Sequence, residues 1–357
     1  MKVLGFIGAM TADGAERVMS LLVNTLASEG HEVVLLLQSN VIEYKLDERI
    51  KVIVVGNNGA TNPISSFLNI YRGTREVFKQ ENHDVIVSFM SVVSMYACLC
   101  SIGLHIPVIV SERNTPAHEV RTKLHSVVRN LSYRLAKGAI FQTKEARDYF
   151  PRQIRVNSTI IPNPVSDDLP YANRKNIEKT IVTLGRLDTQ KNHKLLIEAF
   201  ADFSKSHPDY QLKLYGKGPL AEALKQQAQD MKLDGKVLFM GNQPQIHEKI
   251  RNVSMYVLSS DYEGISNALM ECMAMGLPCV STDCPCGGSR ELIQDGINGE
   301  LVPVGDRKAL ADAMGRVADN MDFANFIGAN SKRIRESYSR EKIIGQYIDY
   351  IKSCARK

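Results

Sequence analysis

Short apolar runs alternate with longer amphipathic segments along most of the chain. In the first half, five runs rich in Val, Ile and Leu occur at residues 2–7, 32–37, 51–55, 84–89 and 107–111. Between them the apolar residues recur every three or four positions, as at 15–28 and 64–79. The runs are typical of buried strands and the segments between them of helices. Continuous apolar strands separated by helices predict a parallel sheet covered on both faces.

A turn-rich passage divides the chain into two halves of similar organisation. Residues 160–176 hold three prolines and few periodic apolar residues, which predicts a linker between domains. Six further strand-like runs follow, at 180–185, 211–216, 236–241, 255–260, 278–282 and 299–303. Helical patterns at 306–318, 323–337 and 340–355 close the chain.

The fold class that follows is α/β, with two Rossmann-like, doubly wound domains. We predict an N-terminal domain over 1–163 and a C-terminal domain over 164–339, with the last helix, 340–357, packing back on the first. Ligands of open α/β sheets lie beyond the carboxyl ends of the strands, so the expected site is a cleft between the facing domains.

Composition and charge narrow the classes of partner. The chain of 357 residues is 44% hydrophobic, and no apolar run approaches the roughly 18 residues that span a bilayer. The net charge is +5, and the chain has no Lys/Arg block, so we do not expect nucleic acid to be a binding partner. The mild positive charge is compatible with binding to phosphate groups or to an anionic membrane surface. Seven scattered cysteines are typical of cytosolic proteins. We expect a cytoplasmic protein, peripheral on the inner face of the cell membrane, with no metal and no cofactor.

Glycines and two cations mark the strand ends of the second half. Gly185 ends a strand, Arg186 follows it, and Lys191 stands at the start of the next helix. An arginine fork and a lysine point charge beside a helix N-terminus suit a diphosphate, and a solvated basic loop is the alternative. Gly216 and Gly241 end neighbouring strand-like runs, where bare backbone admits a nucleotide base, although plain turns also use glycine.

Two glutamates follow the strand-like run 255–260. Glu263 precedes Gly264, which should turn the chain, and Ser266 can cap the next helix. Glu271 lies inside that helix among apolar residues, where each lost hydrogen bond costs about 1–3 kcal/mol. A ribose diol would satisfy this carboxylate, and a buried arginine or a second helix end is the structural alternative.

These residues resemble a known family. Three motifs together are similar to those of the retaining GT-B glycosyltransferases that build bacterial cell-surface polysaccharides. They are GRL with a lysine five positions after its arginine, EGISNALME with glutamates eight positions apart, and STDCPCGGSRELIQDGINGELVP. The resemblance covers essentially the whole chain, including the first loop, GAMTADGAERV. It implies an enzyme that transfers a hexose or N-acetylhexosamine from a nucleotide sugar.

The resemblance also implies roles for individual residues. Arg186 and Lys191 match the pair that binds the donor diphosphate. Glu263 matches the residue that contacts the donor sugar, and Glu271 matches the residue that binds the ribose hydroxyls. Further donor contacts are implied by position at Gly14, Gly264, Ile265 and Ser266, and the strand-end glycines Gly185 and Gly241 are added to the candidate donor site on their own pattern.

The mechanism expected from the resemblance is a front-face transfer with retention. The leaving phosphate would help to deprotonate the acceptor hydroxyl while Arg186 and Lys191 stabilise the developing charge. No DxD-type motif follows a strand, so Mg²⁺ is not expected to be required. Where much of the family has a histidine after the fifth strand, this chain has Arg113, a candidate contact for an anionic acceptor group.

The segment 118–137 is a further candidate for the acceptor side. If it is helical, Arg121, His125 and Arg129 line one stripe and five apolar residues another, which suits a lipid diphosphate at a membrane surface. A helix docked on its own domain, with a solvated charged face, is the alternative.

The function that the resemblance implies is transfer from a UDP-sugar to an undecaprenyl-diphosphate-linked or oligosaccharide acceptor in capsule, exopolysaccharide or O-antigen synthesis. A GDP-mannose-dependent mannosyltransferase, a nucleotide-sugar epimerase or phosphorylase, and a non-catalytic nucleotide-sugar-binding protein are the alternatives. An NAD-dependent dehydrogenase fits the alternating strands, but the first loop lacks GxGxxG.

Overall fold

The computed structural model describes residues 1–11, 14–56, 62–80, 82–119 and 122–356. The chain divides into two compact units. Unit 1 consists of Met1–Pro164 with Glu341–Lys357, and unit 2 of Val165–Arg340.

Unit 1 is built on a seven-stranded parallel sheet. Its strands are β1 Lys2–Ile7, β2 Glu32–Leu37, β3 Lys51–Val54, β4 Val85–Phe89, β5 Val108–Ser111, β6 Gly138–Phe141 and β7 Ser158–Ile160, in the order β3-β2-β1-β4-β5-β6-β7. Its helices include α1 Gly14–Ser28, α2 Pro63–Gln80, α3 Ser91–Cys100, α4 Pro116–Glu119, α5 Lys123–Tyr133, α6 Lys144–Asp148 and α7 Arg152–Arg155. The apolar pattern predicted the first five strands, but not the two short strands β6 and β7.

Unit 2 repeats the arrangement with six parallel strands. They are β8 Glu178–Leu184, β9 Gln211–Tyr215, β10 Val237–Gly241, β11 Val253–Leu258, β12 Cys279–Thr282 and β13 Glu300–Val302, in the order β10-β9-β8-β11-β12-β13. The helices are α8 His193–Ser206, α9 Ala221–Asp230, α10 Ile246–Lys249, α11 Asn267–Met275, α12 Gly288–Leu292, α13 Arg307–Asp319, α14 Met321–Ser331 and α15 Ile334–Ser337. The single helix expected at 323–337 is thus interrupted between α14 and α15.

Both faces of the unit 2 sheet are buried, as the apolar runs predicted. The successive β8 residues Ile181 and Val182 belong to separate hydrophobic cores, because neighbouring side chains of a strand point to opposite faces. The prediction of parallel sheets in two Rossmann-like α/β units is confirmed.

The last helix, α16 Arg340–Cys354, lies almost wholly within unit 1. The hydroxyl of Tyr350 donates to the carbonyl of Asn157 at 2.7 Å and accepts from the amide of Ala139 at 3.2 Å. A Cβ atom added to Gly138 would lie 2.4 Å from the same hydroxyl, so the chain needs glycine there. These contacts fix α16 against β6 and the start of β7.

Candidate active site

An ion pair joins two loops at the carboxyl edge of the unit 2 sheet. Lys191 lies between β8 and α8, and Glu263 lies between β11 and α11; β8 and β11 are hydrogen-bonded neighbours. The Lys191 Nζ atom is 2.6 Å from Glu263 Oε1, which also accepts a hydrogen bond from Ser260 Oγ at 2.8 Å. The side chains are only 14% and 8% exposed. The structure thus brings together two of the residues that the sequence singled out.

Hydrogen bonds between the same two loops hold the pair in place. Ser259 Oγ donates to the carbonyl of Lys191 at 2.9 Å, and Asn192 Nδ2 donates to Asp261 Oδ1 at 2.7 Å. Asn192 also caps α8 from a left-handed conformation with φ 42°. These supporting residues were not predicted from the sequence, because their partners lie about 70 positions away in the chain.

A buried histidine, His193, lies at the same edge of the sheet. Burial, reinforced by the nearby charge of Lys191, lowers the pKa of His193 to about 4. The imidazole is therefore neutral at neutral pH and adds no positive charge to that of Lys191.

Arg186 extends from the same β8–α8 loop into solvent. Its side chain is 68% exposed, and its Nε atom lies 3.3 Å from Asp188 Oδ2. The other oxygen of Asp188 accepts a hydrogen bond from the backbone amide of Lys191 at 3.2 Å. Asp188 thus ties the two cationic residues to one turn and leaves the guanidinium largely accessible.

The predicted glycines line one depression beside this turn. Gly185 and Gly216 directly follow β8 and β9, Gly241 ends β10, and all three border a cavity of about 440 Å³ together with Arg186 and Ile246. A Cβ atom on Gly216 would lie 1.9 Å from the carbonyl oxygen of Gly185, so the two strand ends approach too closely for any side chain. A larger depression, about 910 Å³, lies between α8 and α13 and is lined by none of the predicted site residues.

The turn at Gly264 leads directly into α11. Ser266 caps that helix, and its side chain accepts a hydrogen bond from the amide of Leu269, as the sequence predicted. A Cβ atom on Gly288 would lie 1.7 Å from the carbonyl oxygen of Gly264. The turn containing Gly264 and Ile265 is therefore packed closely against the start of α12.

Glu271 lies on α11 with both carboxylate oxygens bonded. Oε1 accepts a hydrogen bond from Ser166 Oγ at 3.0 Å, and Oε2 lies 3.0 Å from His247 Nε2. Its side chain is 14% exposed. A partner for this carboxylate was expected from the sequence, but these two could not be identified there, because they lie 105 and 24 residues away.

Arg113 follows β5 in unit 1, and its side chain contacts residues of the same unit. Its guanidinium donates to Tyr347 Oη of α16 and to Asn163 Oδ1, and lies 4.8 Å from the centre of the Phe89 ring. The residue is 8% exposed. Arg113 therefore links β5, α16 and the end of unit 1, and its contact with an acceptor stays a prediction.

The prediction that Arg129 belongs to a basic stripe facing the acceptor or a membrane is wrong. The Arg129 side chain is fully buried, its guanidinium lies 4.6 Å from the centre of the Phe150 ring, and Nη1 donates to the carbonyl of Pro116. The predicted helix is replaced by α4 and α5, and Arg121 lies outside the described residues. His125 is half-buried on α5.

A buried carboxylate accompanies Arg129. Burial raises the pKa of Glu112 to about 7, an effect that the charge of Arg129 opposes. Tyr133 donates a hydrogen bond to Glu112 Oε1. Arg129 is thus drawn inward by a carboxylate and by aromatic rings, which the helical pattern alone did not indicate.

The predicted first loop lies only partly within the described ranges. Gly14 is the first residue of α1, but the two residues before it are outside these ranges. In the described part of the chain, no cluster of His, Cys, Asp and Glu is arranged to hold a metal ion. None of the described helices combines the length and the apolar character needed to cross a bilayer.

Comparison with known proteins places the chain in a family. The family model "Glycosyltransferase Family 4" matches residues 12–169, and "Glycosyl transferases group 1" matches residues 168–334. A Campylobacter jejuni enzyme named as an alpha-1,4-N-acetyl-D-galactosaminyltransferase acting on an undecaprenol-linked glycan is 24% identical, with 98% of each chain covered. The lipopolysaccharide core biosynthesis glycosyltransferase LpsE of Rhizobium meliloti is 31% identical over 48% of this chain and 49% of its own.

The fold is also shared with solved structures. Anabaena HepE, crystallised with UDP and glucose, superposes with a TM-score of 0.86 at 18% identity, covering 99% of this chain and 100% of that one. This likeness establishes the GT-B fold, and the family matches decide between the functional classes that the sequence left open. The chain belongs to the family 4 (group 1) glycosyltransferases and is a retaining glycosyltransferase of the GT-B fold.

Proposed function

We propose that the enzyme transfers a hexose or N-acetylhexosamine from a UDP-sugar to a lipid-linked oligosaccharide acceptor in cell-surface polysaccharide synthesis. The observation that carries this proposal is the buried Lys191–Glu263 pair, 2.6 Å apart, beside the exposed guanidinium of Arg186. A diphosphate bound here meets one buried and one exposed cation at the carboxyl edge of the sheet. Glu271 stands on the neighbouring helix, where a ribose is expected.

The chemistry follows from how these charges are held. Negative charge develops on the leaving diphosphate as the glycosidic bond breaks, and a preorganised cation stabilises it without having to reorient during the reaction. The contact with Glu263 fixes the Lys191 Nζ atom in advance. In the front-face route the leaving phosphate accepts the acceptor proton, so the protein mainly orients the reactants and stabilises charge.

The two glutamates are expected to have separable roles. Glu271→Ala should weaken nucleotide affinity by about tenfold or more, because the ribose loses its acceptor. Glu263→Ala should leave nucleotide affinity within about threefold and reduce turnover, because Lys191 loses its orienting partner and the donor sugar a contact. Titration of the nucleotide diphosphate and steady-state transfer rates measure the two effects, and equal losses of affinity would contradict the division.

The proposed UDP specificity draws on structural relatives rather than on the base pocket. HepE was crystallised with UDP and with UDP-glucose, and the depression at Gly241 in this chain has room for a base. GDP-mannose is the alternative donor. Transfer of radiolabel from UDP-sugars and from GDP-mannose, assayed side by side with a lipid-diphosphate-linked acceptor, tests the proposal directly; transfer from GDP-mannose alone would replace it.

The proposed acceptor is carried by a lipid, and α5 offers an exposed apolar face for the membrane. Its exposed side chains are Leu124, Val127, Val128 and Leu131, followed by Leu135 just beyond the helix, with exposed fractions of 40–72%. Lys123, Arg134 and Lys137 are exposed around them, and residues 122–137 contain no Asp or Glu. An apolar face with basic flanks suits the surface of an anionic membrane.

Membrane association is therefore expected to depend on this face. The double variant Leu124→Asp/Leu131→Asp should reduce co-sedimentation with anionic liposomes at least about tenfold, since each buried leucine contributes about 1.5–3 kcal/mol. The control is Val156→Asp, a change at another exposed apolar residue of unit 1, 64% exposed. Co-sedimentation that is unchanged in the double variant, or independent of anionic lipid, would remove the membrane proposal.

A further inference from the structure

We propose that His247 is a positioning residue of the nucleotide site, which holds the Glu271 carboxylate in the orientation that accepts the ribose hydroxyls. This inference rests on the proposed function, because it assigns a supporting residue to the same site. His247 was not among the residues that the sequence singled out.

The contacts of Glu271 place His247 directly on the carboxylate. Ser166 Oγ donates to Oε1 and His247 Nε2 lies 3.0 Å from Oε2, so each oxygen has its own donor. A carboxylate can accept about four hydrogen bonds in all, so a donor on each oxygen does not by itself exclude a ribose hydroxyl. The His247 side chain is 25% exposed and lies at the rim of the site rather than in the core.

The segment that carries His247 is itself held firmly. Gln243 Nε2 donates to the carbonyl of Met240 at 2.8 Å, and Lys249 Nζ donates to Gln243 Oε1 at 2.6 Å, which closes the β10–α10 turn. Ile246 packs against the hydrophobic core of unit 2 and also borders the glycine-lined depression. His247 therefore has a fixed backbone beside the proposed base and ribose.

Fixing a carboxylate in advance improves binding for a physical reason. A glutamate side chain has several rotatable bonds, and a free one loses rotamer freedom when it binds a ligand. Donors on both oxygens restrict that freedom before the nucleotide arrives, so the entropic cost of binding is smaller. The gain in affinity should be largest for ligands that bind Glu271 through both ribose hydroxyls. It should be much smaller for ligands that lack one of these hydroxyls.

Two substitutions distinguish the hydrogen bond that His247 donates to Glu271 from the other effects of the side chain. In His247→Gln the amide nitrogen takes approximately the place of Nε2, whereas in His247→Asn it takes approximately that of Nδ1 and falls short of Glu271. Each variant is titrated with UDP and with 2′-deoxy-UDP, and donor turnover gives KM and kcat. The corresponding guanine nucleotides are used if wild-type enzyme binds GDP more tightly.

The expected result is a loss specific to the ribose. His247→Asn should bind UDP about tenfold more weakly than wild type, bind 2′-deoxy-UDP nearly as wild type does, and raise KM with kcat within about threefold. His247→Gln should stay within about threefold of wild type for both ligands. Unchanged UDP affinity in His247→Asn, or equal losses for the two nucleotides in both variants, would overturn the inference. Wild-type enzyme that binds neither UDP nor GDP would instead overturn the proposed function.

Discussion

Replacing Lys191 with Met should lower the transfer rate by about 10²-fold or more, since one preorganised charge contact to a developing anion is worth roughly that much. The substitution keeps an unbranched side chain of similar reach, and it removes the positive charge together with its hydrogen bond to Glu263. The steady-state rate of transfer from the donor sugar, at saturating donor, measures the effect.

A nearby lysine provides the matched control. Lys194 lies three positions further along the same helix start, and its side chain is exposed. Lys194→Met removes the same charge without touching Glu263 and should keep the transfer rate within about twofold, as exposed substitutions usually change little. Full activity in Lys191→Met would refute the role assigned to the buried pair.

Replacing Arg113 with Met should destabilise unit 1 by about 2–4 kcal/mol, because Tyr347 Oη and Asn163 Oδ1 would each lose a buried hydrogen bond from the guanidinium, while Asn163 Oδ1 keeps the one from Gln142 Nε2. The loss concerns α16 in particular, since Tyr347 lies on that helix. Hydrogen exchange of the β5 and α16 amides reports the free energy of opening for this unit alone.

The control for this variant is Arg152→Met, a change at an exposed arginine of α7. It should alter the free energy of opening by about 0.5 kcal/mol or less. Unchanged exchange of the α16 amides in Arg113→Met would show that the buried guanidinium does not hold the helix, and would return Arg113 to the acceptor side.

The residues that the sequence predicted best are those whose environment is local. The parallel strands were predicted because each is a continuous apolar run, and Ser266 was predicted as a cap because a cap bonds within its own turn. β6 and β7, of four and three residues, are too short for a periodic signal. The partners of Glu271 were missed because nothing local links α11 to Ser166 or His247.

The α5 helix shows a second limit of sequence patterns. Periodicity grouped Leu124, Val127 and Leu131 on one face, and the three are exposed together, but it did not indicate which face turns inward. The apolar residues Leu124 and Leu131 are exposed, while Arg129 is buried beside Glu112 and the Phe150 ring. A buried carboxylate and an aromatic ring on other elements decided the orientation, and neither is encoded in the helix itself.

Calorimetric titration of UDP and GDP into the wild-type enzyme and into Glu271→Ala tests the proposed nucleotide site. We expect wild type to bind UDP more tightly than GDP, and the glutamate variant to lose about tenfold or more in UDP affinity. Tighter binding of GDP, or the same UDP affinity in both proteins, would refute the proposed site.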